Sequence, residues 1–203
     1  MAGIVACYLD TPSNKIILNK KLNLGAGFHP KGGYLNTDSD PRTNCDSIFD
    51  LEIFPWPLPS NHFERVELSH VLEHLSKTEE VLKEIYRICE PGGCVEIRVP
   101  HASRGFTHWD HKRGFDVSFP LYFREDMSGG FRNLHFEHLQ TRLTWFAQPH
   151  YKKQFMGPIS YFLGRISGFI FDFVGNLNHY FTSRIFCYYV GGYDEVMFLL
   201  RKK

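Results

Sequence analysis

The sequence predicts an α/β fold: a mostly parallel sheet carrying helices on its faces. Three observations point there. Short apolar runs alternate with helical spacing, glycine- or proline-rich turns close each run, and no repeat, linker or low-complexity tract divides the 203 residues. A chain of this length forms one domain, expected to span 1–203. In such a sheet the ligand site lies beyond the carboxyl ends of the strands.

The elements follow in order. Ile16–Leu24 is an apolar run that ends in Gly25-Ala26-Gly27, and Tyr34–Asp38 is a second run that ends in an acid. Phe63–Ser69 alternates with the period of a half-buried strand. From Ser76 to Glu90, Val81, Leu82, Ile85, Ile88 and Cys89 follow helical spacing; Ser76 with Glu79 predicts a capping box, and Pro91-Gly92-Gly93 stops the helix. Cys94–Val99 reads as the next strand. His101–Gly130 has no clean period and is expected to be a functional loop or lid over 102–133. Leu134–Trp145 reads as a strand, Ile159–Leu177 as a loosely amphipathic helix and Asp194–Leu200 as a closing strand, with a solvated tail at Arg201-Lys202-Lys203.

Composition excludes several classes. With 23 Lys and Arg against 22 Asp and Glu, the chain lacks the positive surplus that non-specific phosphate binding needs, so no nucleic-acid partner is expected. The five cysteines (Cys7, Cys45, Cys89, Cys94, Cys187) show no C-x-x-C pair and no zinc spacing, and they read as reduced cytoplasmic thiols. The N-terminal stretch lacks the basic region of a secretory signal. Phe155–Val174 is interrupted by Pro158, Arg165 and Asp172, so no transmembrane helix is expected, an interfacial segment remaining open. The aromatic stretch Tyr151–Tyr189 reads as a long helix packed in the core, or as a homodimer interface or apolar cleft, or as a membrane-surface segment.

Leu22–Gly27 (LNLGAG) is the strongest local signal, with Asp38 eleven residues after Gly27 at the end of the second strand. Glycines let a backbone approach a ligand closely, and an acid at that strand tip can accept both hydroxyls of a ribose. An adenosine-containing cofactor fits this pattern. A dinucleotide fits less well, because G-x-G-x-x-G would require glycine where Pro30 stands. An NAD(P)-dependent reductase therefore remains a rival, as does a cofactor-binding interaction protein without catalysis.

Further motifs follow in order: Gly33–Asp38 (GYLNTD), Trp56–Pro59 (WPLP), Ser69–Leu75 (SHVLEHL) and Pro91-Gly92-Gly93. With this ordered set, the sequence resembles the class I S-adenosylmethionine-dependent methyltransferases, closely over about residues 19–101 and more loosely at Gly191–Leu200 (GGYDEVMFLL). The resemblance implies a Rossmann-like three-layer fold whose seven-stranded, mostly parallel sheet has an antiparallel last strand. It implies S-adenosyl-L-methionine as cofactor. Gly25, Ala26 and Gly27 would line its amino-acid end and ribose, Asp38 would take the ribose hydroxyls, Asp50 and Leu51 would flank adenine, and Ser69 and His70 would border the sulfonium. Asn23 stands where the family carries an acid near the amino-acid end.

The acceptor side rests on His101, directly after the fifth strand, and on Phe106–Arg113 (FTHWDHKR), where His108, Asp110 and His111 are candidates to line the pocket. Methyl transfer is an in-line displacement, so alignment dominates, and a hydroxyl acceptor adds the need for a base. His101, Asp110 and His111 are the expected catalytic residues. His108-x-Asp110-His111 could instead ligate a metal, but no fourth ligand is evident and no metal is expected. Glu73 and His74 read as structural, Glu73 as a partner of the backbone. The expected reaction is O-methylation of a small-molecule or glycan-like acceptor.

Overall fold

A computed structural model describes residues 19–105 and 108–203. Cys7, the N-terminal stretch, the start of the first apolar run, Phe106 and Thr107 lie outside the described residues. Seven strands form one sheet: β1 Lys21–Leu24, β2 Leu35–Asp38, β3 Ser47–Ile48, β4 Phe63–Ser69, β5 Cys89–Pro100, β6 Phe136–Thr144 and β7 Glu195–Lys202. Their order is β3-β2-β1-β4-β5-β7-β6, and β7 runs antiparallel to both of its neighbours while the other pairings are parallel. This is the sheet of the Rossmann-like methyltransferase fold. β4 matches the sequence expectation to the residue, whereas β5 also takes in the Pro91-Gly92-Gly93 segment.

Alternation assigns the two faces. Leu22, Leu24, Leu35, Val66, Leu68, Val95, Ile97, Val196 and Phe198 share the apolar face and belong to the core. Helix α1, Thr78–Ile88, presses Val81, Leu82, Ile85 and Ile88 into it, all fully buried. A turn at Phe119–Phe123 covers the β7 end, with the Phe119 ring 5.3 Å from Phe198.

Across the other face the paired positions are polar: Asn36 beside Asn23, Asn23 beside Glu67, and Glu67 beside Glu96. The expected strand–helix alternation does not extend to the first three strands. Among the described residues, the connections over 25–34, 39–46 and 49–62 hold no α-helix. Prolines explain this: Pro30, Pro41, Pro55, Pro57 and Pro59 remove helix donors and clash with the preceding turn.

Helix α2, Pro158–Gly175, lies along the free edge of β6. Asn176 donates from Nδ2 to the Leu143 carbonyl and accepts from the Leu143 amide, each at 2.8 Å, and the Asp172 carboxylate accepts from the Trp145 amide at 2.6 Å. These contacts occupy an edge that would otherwise template another strand. The inner stripe of α2 is small: a Cβ on Gly164 or Gly168 would press on Phe146 at 2.7 or 2.8 Å. Its large residues point outward, Ile159, Phe162, Phe169 and Phe173 being 61–80% exposed. The reading of this stretch as core packing is therefore corrected, because only glycine lets the helix approach Phe146 and Tyr193.

Candidate active site

Register brings the motif residues together. Leu24 is level with Thr37 on β2 and with Leu68 on β4, so Gly25, Asp38 and Ser69 leave adjacent strands side by side. β1 and β4 are where the strand order reverses, the crevice in which open α/β sheets bind ligands. Gly25 has φ +62°, and a Cβ there would overlap Val71 Cγ2; Gly27 has φ +54° and open space where a Cβ would point. The loop is thus bare main chain on its outer side.

Asp38 is half-buried and braces that loop. Its Oδ2 accepts from the Gly27 amide at 2.8 Å and its Oδ1 from the Asp40 amide at 2.9 Å, and each oxygen keeps a second acceptor direction. The Ala26 amide is anchored on the Thr37 carbonyl at 2.9 Å. Asn23 turns to the polar face of the sheet, where it is buried and donates to Asn36 Oδ1 at 3.0 Å. Asp50 is exposed and caps its own turn by accepting from the Glu52 amide at 2.8 Å, while Leu51 is buried and its carbonyl takes Trp56 Nε1–H at 3.1 Å.

At the end of β4, Ser69 is exposed and His70 sits at φ +56°, a conformation uncommon outside glycine that marks constrained sites. The His70 amide donates to the Arg98 carbonyl, and its Nε2 lies 3.0 Å from Glu195 Oε2. Burial pulls the His70 pKa down, but the hydrogen bond to Glu195 and the charges of Glu195 and Glu73 outweigh it and hold the ring up at about 9. His70 closes an alternating chain of charges over the polar face, which runs Lys31, Glu67, Arg65, Glu96, Arg98, Glu195, His70. Burial raises Glu67, yet Lys31, Arg65 and Tyr34 together bring it down to about 2.

Beyond His70, a turn carries Glu73 and His74 toward the irregular loop. Lys112 ties the two together by donating its amide to the Glu73 carbonyl at 2.8 Å. His74 Nδ1 lies 3.0 Å from Asp110 Oδ2, and the His108 ring stacks on His111 at 4.8 Å. Glu73, His74, His108 and His111 line a pocket of about 550 Å³, whose other wall comes from Arg104, Gln148, Tyr151, Lys152, Phe155 and Met156.

His111 thus lines the pocket, and Asp110 is joined to it through His74 and His108. His101 does not join them: it is 1% exposed, with Nδ1 2.7 Å from Ser103 Oγ and Nε2 2.8 Å from Ser183 Oγ. Burial lowers its pKa to about 4, so it is a neutral packing residue and is withdrawn as a base. Glu73 is also corrected, since among the described residues neither of its carboxylate oxygens has a hydrogen-bond partner, backbone included. Glu195, Arg104 and Lys152 are site-forming residues that no local sequence signal marks.

The family model described as a methyltransferase domain matches residues 11–155. No curated protein matches the chain. Among solved structures, the YcgJ protein of Bacillus subtilis superposes with TM-score 0.53 at 14% identity, covering 91% of this chain and 92% of that one. An S-adenosylmethionine-dependent methyltransferase from Mesorhizobium loti superposes with TM-score 0.52 at 12% identity, covering 90% of each chain. The bare Gly25–Gly27 loop, braced by a carboxylate with spare acceptor capacity, fits a cofactor that presents a ribose diol. The chain belongs to the methyltransferase-domain family and is an S-adenosylmethionine-dependent methyltransferase of the class I fold.

Proposed function

We propose that the enzyme methylates an oxygen of a small-molecule or glycan-like acceptor in the cytoplasm. The observation that carries this reading is the roughly 550 Å³ pocket beside His70, into which His74, His108 and His111 open. A space of that size suits a small molecule or a sugar-sized unit. When bound, S-adenosylmethionine supplies a methyl group on a cationic sulfur. The chain's part is to align the acceptor and receive its proton. Asp38 would take the ribose diol, Gly25, Ala26 and Gly27 the amino-acid end with Asn23 behind them, Asp50 and Leu51 the adenine, and Ser69 and His70 the sulfonium side.

His111 is placed to act on the acceptor. Its Nδ1 donates to the Gly105 carbonyl at 2.6 Å, so in the neutral ring Nε2 carries the lone pair. Asp110 accepts from His74 and His108 and so holds the imidazole group in place. Such positioned proton transfer contributes about 10²–10⁴-fold in rate.

The test is S-adenosylhomocysteine release against matched panels of hydroxyl and amine acceptors, with mass spectrometry of the product. O-methyl products are expected, and turnover restricted to amines overturns the reading. The exposed outer face of α2 is the surface through which a homodimer would form, to be checked by sedimentation velocity.

A further inference from the structure

The pocket holds a second arrangement of ligand atoms, apart from Asp38 and the glycine loop. Glu73 is 1% exposed, and both carboxylate oxygens lack a hydrogen-bond partner among the described residues. The nearest cationic candidates stand off, His70 Nδ1 at 3.5 Å and His74 Nε2 at 3.8 Å from Oε1. A buried carboxylate left without donors is costly, and folded proteins pair such groups or place them on a metal.

The neighbouring imidazoles are set up to complete a ligand set. His74 directs Nδ1 to Asp110 Oδ2 at 3.0 Å, and His111 gives Nδ1–H to the Gly105 carbonyl at 2.6 Å. Each ring has its Nδ1 tied by an oxygen, which leaves Nε2 as the free lone-pair nitrogen. Carboxylate- or carbonyl-oriented histidine is the outer-shell arrangement that metal sites use to fix tautomer and raise ligand basicity. Glu73, His74 and His111 each bring a ligand atom to within 4.8 Å of the others. Closing that spacing to the bond lengths of about 2.0–2.2 Å around a divalent ion needs side-chain shifts on the order of 1 Å.

We propose that Glu73, His74 and His111 bind one divalent transition-metal cation of the Zn²⁺, Mn²⁺, Fe²⁺ or Co²⁺ class, and that its open positions hold the acceptor oxygen. A two-nitrogen, one-carboxylate set suits these borderline ions, and three protein ligands leave room for substrate, as in catalytic sites. The site contradicts the expectation of no metal, which considered only His108, Asp110 and His111. That trio also lies close together, but Asp110 is already committed to His74 and His108.

The acceptor-holding role rests on the oxygen reading above; binding of the ion does not. In that role the Nε2 lone pair of His111 goes to the ion instead of to the acceptor's proton, and the coordinated hydroxyl releases its proton to water in the pocket. Its oxygen then bonds to the methyl carbon while the S–C bond breaks, and that electron pair returns to sulfur as a neutral thioether.

Chelator-treated protein is titrated with Co²⁺, followed by its visible ligand-field bands and by calorimetry, with Zn²⁺ as competitor. One equivalent is expected to bind. His74→Ala, His111→Ala and the near-isosteric Glu73→Gln are expected to weaken binding about 100-fold or more, and Asp110→Asn about 10–100-fold. His108→Ala is expected to bind like the parent. S-adenosylhomocysteine affinity, measured on every variant, certifies the fold. No stoichiometric Co²⁺, unchanged binding in His74→Ala and His111→Ala, or loss in His108→Ala alone overturns the site. Turnover undiminished by chelator overturns the acceptor-holding role, whereas a metal-dependent N-methyl product overturns the oxygen reading and leaves the site standing.

Discussion

His70 Nε2 lies 3.0 Å from Glu195 Oε2, across 125 positions of sequence, and so joins the end of β4 to the first residue of β7. Glu195 also accepts from Arg98 at 3.1 Å, and the pair therefore forms the last step of the charge chain that starts at Lys31 beside the glycine loop. The antiparallel strand is what makes this possible. By inserting between β5 and β6 it delivers a carboxylate to the carboxyl end of the parallel strands, level with Pro100. The strained His70 backbone is thereby held by three strands.

This pairing predicts a pH dependence of stability in the metal-free protein. The folded-state pKa of His70, about 9, lies above the ordinary imidazole value of about 6.5. Protonation therefore favours the fold fully below about pH 6.5, and the benefit is lost as pH rises through about 9. Its upper size is about 3 kcal/mol at 1.36 kcal/mol per unit. Urea midpoints measured in chelator should fall between about pH 7 and 9.5, and His70→Gln should flatten that slope. Cys89, whose thiol burial pushes up to about 12, adds its own loss only above about pH 9, so the fall between about pH 7 and 8.5 reports His70.

Asp38→Ala should lose both the proposed ribose contact and the brace on the Gly27 and Asp40 amides. Removing charge-assisted hydrogen bonds of about 1.5–3 kcal/mol corresponds to a fall in S-adenosylhomocysteine affinity of roughly 10–150-fold. Titration calorimetry measures it, and circular dichroism should stay native. Unchanged affinity would remove Asp38 from the site.

The parts legible in the sequence were those governed by local period and by turns. β4 and α1 announce themselves through alternation and 3.6-residue spacing, and Gly25, Gly27 and Asp38 form a compact motif because consecutive strands in one sheet place them together. What local pattern does not carry is which distant group meets a side chain. Lys202, expected in solvent, is 7% exposed and donates to Asn61 Oδ1 and to the Tyr86 and Cys89 carbonyls. The apolar period of α2 signals a helix but not its orientation, which the glycine stripe against Phe146 reverses. His70 with Glu195, and Glu73 with His111, meet only through topology.

The start of α1 shows the same limit and yields a stability prediction. The expected capping box between Ser76 and Glu79 is not formed; Ser76 Oγ accepts from Lys112 Nζ instead, at 2.8 Å. The amides of Ser76 and Lys77 donate to Glu52 Oε1 at 2.6 and 2.8 Å, so a carboxylate from a preceding loop does the capping. Those amide bonds, led by Lys77, hold the Glu52 carboxyl below its ordinary pKa. Glu52→Ala should cost about 1–2 kcal/mol, a drop in Tm of roughly 2–8 °C for a domain of this size, with S-adenosylhomocysteine affinity unchanged. Glu79→Ala should leave Tm within about a degree, since its partner Lys83 is solvent-exposed and such helix pairs contribute little.

His101 and His111 make opposed predictions although both follow β5. His101 fills a buried place with both nitrogens bonded to hydroxyls, so His101→Ala leaves a cavity and strands the Ser183 hydroxyl. A cost of roughly 2–4 kcal/mol is expected, seen as a lowered denaturation midpoint, with turnover per folded molecule close to that of the parent. His111 is half-buried at the pocket, where loss of its ring removes Nε2 from the acceptor side but leaves the core intact. His111→Ala should keep the denaturation midpoint within about 1 kcal/mol and the S-adenosylhomocysteine affinity within about threefold, while kcat falls about 100-fold or more. Measuring both variants side by side separates the two assignments: a loss of turnover in folded His101→Ala that matches the loss in His111→Ala would return His101 to the chemistry and show that the pocket is built differently.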